Sequence, residues 1–227
     1  MMQRISVFDM LKIGVGPSSS HTMGPWRAAE RFLCEMDETD HFDSINQIIV
    51  ELYGSLAKTG KGHGTDVAVL MGLSGEDPVT CDTSGISAIV DTITNNQQIS
   101  LLNRRRITFD PVTDIIFHYD QSLPYHPNGI RFIANPGTEQ KEITYYSVGG
   151  GFIVKEDEFD SVSESVLLPY PCDLAQDVEK HCSQNQLQLW EMVWQNEQVR
   201  VQPTCEETQS VPRSFSGMNT ASTSLPS

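Results

Sequence analysis

Between Pro25 and Lys155 the chain repeatedly changes its hydrophobic period, and this alternation limits its fold more than any other feature. The run "WRAAERFLCEM" sets Trp26, Ala29, Phe32 and Leu33 at helical spacing, with Pro25 suited to a first helical turn. "SINQIIVELYGSL" is apolar and β-branched at its centre and reads as a strand. "AKTGKGHGTDVAVLMGLSG" breaks into glycines and restarts as a helix at about Thr65. "SGISAIVDTITN" reads as a third helix. "RITFDP", "DIIFHYDQSL", "IRFIANP" and "EITYYSVGGGFIV" read as strands separated by Pro, Asn and Gly turns. Helices interleaved with β-branched strands predict an α/β (α+β) domain, a mixed sheet flanked by helices, over residues 1–155.

The composition changes after Lys155. Residues 156–184 are acidic, carry Ser and Pro, and read as a linker. Residues 185–200 contain "NQLQLWEMVWQNEQV", an amphipathic helix whose Leu187, Trp190, Met192 and Trp194 call for an apolar partner. Residues 201–227 have few large apolar side chains and many Ser, Thr and Pro. Such a segment cannot bury enough surface to offset its chain entropy, so disorder is expected there.

Charge and cysteine usage remove several functional classes. The 30 acidic residues outnumber the 15 Lys and Arg, for a net charge of -15. A chain this acidic repels phosphate backbones, and "NRRRITF" is its one basic run, so no nucleic-acid partner is expected. No stretch approaches the roughly 20 apolar residues that span a bilayer, and the N-terminus does not read as a signal peptide. A cytoplasmic protein with no membrane partner is expected. The cysteines at 34, 81, 172, 182 and 205 are widely spaced, odd in number and free of CxxC pairs. They suit a reducing compartment and supply no metal-ligating signature.

Four loops carry the candidate chemistry. The first is "GVGPSSSHTMGP", where Ser18, Ser19, Ser20, His21 and Thr22 sit just before the first helix. A helix N-terminus leaves amides unpaired and partly positive, and hydroxyls gathered there bind a carboxylate or phosphate. The competing reading is an ordinary N-cap, which needs one hydroxyl where this loop supplies four and an imidazole. The second is "KTGKGHGTD", which lacks the phosphate-loop spacing GxxxxGK[ST]. Here Asp66 could orient His63, or could simply be a first-turn charge. The third, "LPYHPNGIRF", holds His126 and Asn128 in what is also a good turn sequence. The fourth, "YYSVGGGFI", puts Gly149, Gly150 and Gly151 within a strand pattern, a mark of close backbone or ligand approach. Neither a Gly-x-Ser-x-Gly nor a Ser-x-x-Lys nucleophile motif is present.

Taken together and in order, "GPSSSHTMGP", "LYGSLAKTGKGHGTD", "HPNGI" and "YYSVGGGFI" resemble the N-terminal β domain of the iron–sulfur L-serine dehydratases, or L-serine ammonia-lyases. The resemblance runs from about Val7 to Ile153, and "LWEMVWQNE" resembles the start of that family's larger α domain. The fold it implies is similar to the allosteric substrate-binding domain of phosphoglycerate dehydrogenases. The activity it implies converts L-serine to pyruvate and ammonia with a [4Fe-4S] cluster as Lewis acid and without pyridoxal phosphate. A pyridoxal enzyme would instead need Lys58 or Lys61 as its Schiff base.

The same resemblance implies the roles of individual residues. Ser18, Ser19, Ser20, His21 and Thr22 would hold the substrate carboxylate. His63 and Asp66 match a second active-site loop. Asn128, Gly149 and Gly150 match further pocket positions, with Gly151 completing the run. His21, His63 or a group on the α domain would serve as α-proton base. The cluster ligands are expected outside this chain, because Cys172, Cys182 and Cys205 do not match the family's positions. The implied partners are L-serine and an α domain or subunit, in a homodimer or heterodimer. A stand-alone module binding serine or another carboxylate is the alternative.

Overall fold

Pro25 organises the start of the fold. In the computed structural model, which describes residues 13–137, 139–159, 168–172 and 174–201, helix α1 spans Gly24–Glu38. A π-helical turn, Ser19–Met23, leads straight into it. The stretch read as a loop is therefore already helical, and this corrects the expectation that the helix starts at Pro25. Ser18 is extended, and its hydroxyl accepts the His21 N–H at 3.2 Å. From there the turn winds wide, with the Met23 N–H reaching back five residues to the Ser18 carbonyl at 3.4 Å. Trp26, Ala29, Phe32 and Leu33 lie on the buried face of α1, as their spacing predicts, and Met36 joins them.

The chain then enters β1 (Ile48–Tyr53), a short helix α2 (Gly54–Thr59) and a 3-10 turn (Gly60–His63). Helix α3 (Thr65–Ser74) starts where predicted. Helix α4 (Ile86–Asn96) leads to a separate hairpin of β2 (Gln98–Leu101) and β3 (Arg105–Thr108), with Ile99 opposite Ile107. A single turn, α5 (Pro111–Asp114), precedes β4 (Ile115–His118). Strands β5 (Gly129–Ala134), β6 (Lys141–Gly149) and β7 (Phe152–Lys155) follow. The main sheet runs β4-β1-β5-β6-β7. Only the β1–β4 pairing is parallel, so the sheet is mixed, as the interleaved pattern requires.

Three local expectations are corrected. "GSLAKT" was grouped with strand and loop but forms α2, because β1 ends at Gly54 in a left-handed conformation, φ +56. A side chain there would strike the Pro127 carbonyl. The triple glycine does not lie inside one strand. Gly149, Gly150 and Gly151 have φ of 102, 61 and 77 and turn β6 back as β7. The hairpin strand β2 was not foreseen, being four residues long.

One contiguous core joins α1, the sheet and the hairpin. Phe32 stacks on Phe132 with ring centroids 4.9 Å apart. Helix α3 is apolar nearly all round, because α1 and β2 both pack on it. It packs tightly on α1 at Gly72, where an added Cβ would meet the Ala29 Cβ at 2.8 Å and strike the Trp26 carbonyl. Charges close the rim: Lys155 pairs with Glu35 at 2.8 Å, and Arg31 bonds both Glu35 and Glu158.

The chain divides into two compact units, residues 1–163 and 164–227. In the second, the expected linker carries helix α6 (Ala175–Asn185), and α7 spans Leu189–Val201. The side chain of Asn196 on α7 mimics a peptide, accepting the Tyr170 N–H and donating to the Tyr170 carbonyl, both at 2.9 Å. Met192 is buried as the amphipathic reading requires, but Trp190 is 67% and Trp194 52% exposed. The buried stripe is instead Met192, Asn196 and Glu197, one helical turn apart. The expected disorder from residue 202 on, and the Val7 end of the resemblance, lie outside the described residues.

Replacing Gly72 with Ala is expected to destabilise the first unit by about 1–3 kcal/mol, because the atoms that must give way include main chain. Urea unfolding of the variant should show a lower midpoint with an unchanged slope.

Candidate functional site

Three of the four loops meet at the start of α1, and the third loop braces them through Ser55 and Ser147. Pro25 has no N–H, so one carbonyl of the turn before it lacks its main-chain donor. Two buried hydroxyls reach the carbonyls of this turn. Thr65, at the start of α3, donates to the His21 carbonyl at 2.6 Å, and Ser147, on β6, donates to the Ser20 carbonyl at 2.7 Å. A third tether runs from the Thr22 hydroxyl to the His63 carbonyl at 2.9 Å. Ser147 also receives the Asn128 side-chain amide on its carbonyl at 3.1 Å and donates its N–H to the Asn128 carbonyl at 3.0 Å. The Ser55 N–H donates to the Pro127 carbonyl at 2.8 Å. At Gly24 an added side chain would strike the Ser147 hydroxyl, and an added Cβ at Gly151 would meet Met23 at 3.5 Å.

At the centre lies His21, half-buried, with both ring nitrogens engaged. Its Nδ1 is 2.9 Å from the Ser20 hydroxyl and its Nε2 is 2.9 Å from the Ser55 hydroxyl. Ser18 Oγ lies 3.4 Å from Ser20 Oγ, extending the chain of hydroxyls. The His63 ring is 5.1 Å from that of His21, tilted by 40°. His63 Nδ1 donates to the Thr59 carbonyl at 2.9 Å, which fixes its tautomer when neutral and leaves Nε2 as the free acceptor. Burial pushes the His21 pKa below its ordinary value, and the neighbouring His63 pushes it the same way, while Ser55 opposes them. His21 is therefore a neutral hydrogen-bonding ring at pH 7.

The predicted residues do not all share this place. Ser18, Ser19, Ser20, His21 and His63 stand together, with the amides of Ser19 and Ser20 at the helix N-terminus. Thr22 is buried and its hydroxyl is spent on the His63 carbonyl, so it tethers the loop. Asn128 is buried and braces Ser147. Gly149 and Gly150 belong to the β6–β7 turn. Asp66 does not orient His63; Thr59 does that. The Asp66 carboxylate accepts the Val67 N–H at 3.0 Å and, with Lys61, lines a separate open cavity of about 450 Å³ whose lining includes neither histidine. It is the first-turn charge of α3. Ser55, Thr59, Thr65 and Ser147 were missed. Each is a lone hydroxyl without a motif, and only the tertiary fold shows its partner.

Comparison with known proteins places the chain in a family. Residues 6–158 match the family model described as serine dehydratase beta chain. The chain belongs to the serine dehydratase beta chain family. It is 41% identical to the L-serine dehydratase of Haemophilus influenzae over 85% of its length, and 40% identical to L-serine dehydratase 2 of Escherichia coli over the same share. It is 42% identical to the L-serine dehydratase of Streptomyces coelicolor over 86% of its length. These matches take in more than residues 6–158, so they include part of the second unit. The chain spans 43% to 44% of the length of these relatives. Within this beta-chain domain, no group of three or more His, Cys, Asp or Glu side chains that could hold a metal ion occurs among the described residues. Cys34 and Cys81 have thiols pushed up by burial, which disfavours the thiolate a cluster would need. The described residues therefore do not fit an iron–sulfur cluster.

Among the described residues no helix is long and apolar enough to cross a membrane.

In an NMR titration of the ring nitrogens, His21 is expected to titrate below 6.5, and His63→Gln to raise its pKa while leaving it below that value, because burial is the larger cause. The unfolded chain protonates His21 at higher pH than the folded one. This group's contribution to stability is thus present above about 6.5 and is lost as the pH falls below it.

Proposed function

We propose that this chain forms the substrate-pocket portion of an L-serine ammonia-lyase, which eliminates water from L-serine to give pyruvate and ammonia. The observation that carries the reading is the convergence of Ser55, Thr65 and Ser147 on Ser20 and His21 at the N-terminus of α1. The names of the relatives support the substrate.

In this reading the serine carboxylate docks against the amides of Ser19 and Ser20, with the hydroxyls of Ser18 and Ser20 as further donors. His63 is the candidate base. Its Nε2 carries a free lone pair, whereas both nitrogens of His21 are occupied. Removal of the α-proton by His63 and departure of the β-hydroxyl give aminoacrylate. That enamine tautomerises to an imine, and water hydrolyses the imine to pyruvate and ammonia. No described residue is placed to assist departure of the hydroxyl. An α domain or subunit carrying a [4Fe-4S] cluster is the partner this reading calls for, and the cluster's chemistry when bound is that of a Lewis acid.

Calorimetry of the chain with L-serine should show binding, and His21→Ala should weaken it about tenfold or more. Anaerobic mixing with a separately expressed α domain of a relative, after iron and sulfide reconstitution, should yield pyruvate from L-serine. A silent mixture beside an active intact relative, treated identically, would count against the catalytic reading. Serine binding that survives in that case would point to a stand-alone binding module.

A further inference from the structure

The hydroxyls on His21 can exchange roles. Neutral imidazole has one N–H donor and one lone-pair acceptor, whereas a serine hydroxyl can donate or accept by rotating. With Ser20 on Nδ1 and Ser55 on Nε2, each at 2.9 Å, two arrangements satisfy every group equally well. In one, Ser20 donates to Nδ1 and the Nε2 proton goes to Ser55. In the other, Nδ1–H donates to Ser20 and the Ser55 hydroxyl donates to Nε2. Only the second frees the Ser20 hydrogen for something else. A carboxylate at the helix N-terminus is a pure acceptor and needs that hydrogen.

We propose that Ser55 is a positioning residue for His21, whose hydroxyl lets the imidazole change tautomer so that Ser20 can turn from donating to His21 to donating to a bound carboxylate. This rests on the reading of residues 18–22 as a carboxylate site. The ring keeps its charge throughout, and its proton exchanges between the two nitrogens through solvent. Ser55 is built for the task. Its N–H is held by the Pro127 carbonyl at 2.8 Å, and the Thr59 hydroxyl donates to its carbonyl at 3.0 Å. The left-handed Gly54 just before it allows that approach to Pro127. The third loop thus reaches the first through Ser55.

The test is ¹⁵N NMR of histidine-labelled chain, reading the two ring nitrogens of His21 at neutral pH. In the empty wild type, both tautomers should contribute. Ser55→Ala leaves Nε2 facing a methyl group. An unpaired buried N–H costs more than an unpaired lone pair, so the signature should move to Nδ1–H. Ser20→Ala should move it the opposite way, to Nε2–H. Ser55→Thr, which keeps the hydroxyl, should resemble wild type. Saturating L-serine, or acetate as a bare carboxylate, should drive the wild type towards Nδ1–H and leave Ser55→Ala unmoved. Amide spectra check that each variant is folded. Shifts in the same direction for Ser55→Ala and Ser20→Ala, or none in either, would overturn the switch. Calorimetric binding of L-serine with no change in the wild-type ring would overturn it too, while leaving the carboxylate site standing. Absence of any binding removes the carboxylate site, and the opposed shifts in the empty chain then decide the switch alone.

Discussion

A missing hydrogen sets the terms for the rest of this structure. Pro25 sits one turn into a helix and cannot donate, so one carbonyl of the preceding turn lacks its main-chain donor, and the carbonyls of Ser20 and His21 take partners from outside the helix. They find them on Thr65 and Ser147, two buried hydroxyls from different elements. Each bond satisfies a carbonyl that would otherwise cost about 1–3 kcal/mol to bury unpaired. Together they clamp the start of α1 between α3 and β6. The clamp acts on the backbone of the very residues whose side chains line the site. Ser20 and His21 are held by their carbonyls, which leaves their side chains to meet each other and Ser55.

On the proposed reading, the site recruits an anion without a fixed cation. The chain carries a net charge of -15, which repels a carboxylate at long range. In physiological salt that repulsion is screened over roughly 8–10 Å. The helix N-terminus acts within one turn, where screening is weak, and its unpaired amides would face a carboxylate docked there. A neutral His21 suits such a place. A charged His21 would compete for the anion and fix the ring as donor at both nitrogens. Burial and His63 oppose that charge, and the ring stays able to accept as well as donate.

What could be read in the sequence followed periodicity. Helix α4, the buried face of α1 and most strands have patterns that fit one period, α3 is marked by an apolar run restarting after glycines, and the structure places them as read. Helix α2 has no such pattern. Its six residues are imposed by a left-handed Gly54 packed under Pro127. The motif residues of the first loop were legible because four hydroxyls and an imidazole in sequence exceed the needs of a cap. Their partners were not. Ser55, Thr65 and Ser147 lie 34, 44 and 127 residues from the groups they bind, and nothing local distinguishes them from other hydroxyls. Asp66 shows the opposite error. Its three-residue spacing from His63 suggested a pair, but a helix start separates their directions, and main chain from Thr59 does the orienting.

The division of labour in the proposed reaction follows from chemistry at the two carbons of serine. The α-proton is a weak acid, and a histidine lone pair beside a docked carboxylate can address it. The β-hydroxyl is a poor leaving group, and hydrogen bonding from neutral serines does little to improve it. A site made of hydroxyls, amides and imidazoles is suited to the first task and poorly suited to the second. On this reading, the loops of the beta-chain domain hold the carboxylate and receive the proton, and the strong electrophile must come from whatever faces them. That separation also explains why His21 should be neutral and adaptable. A fixed charge there would bind the acid end of serine more tightly before and after reaction alike, without lowering the barrier between.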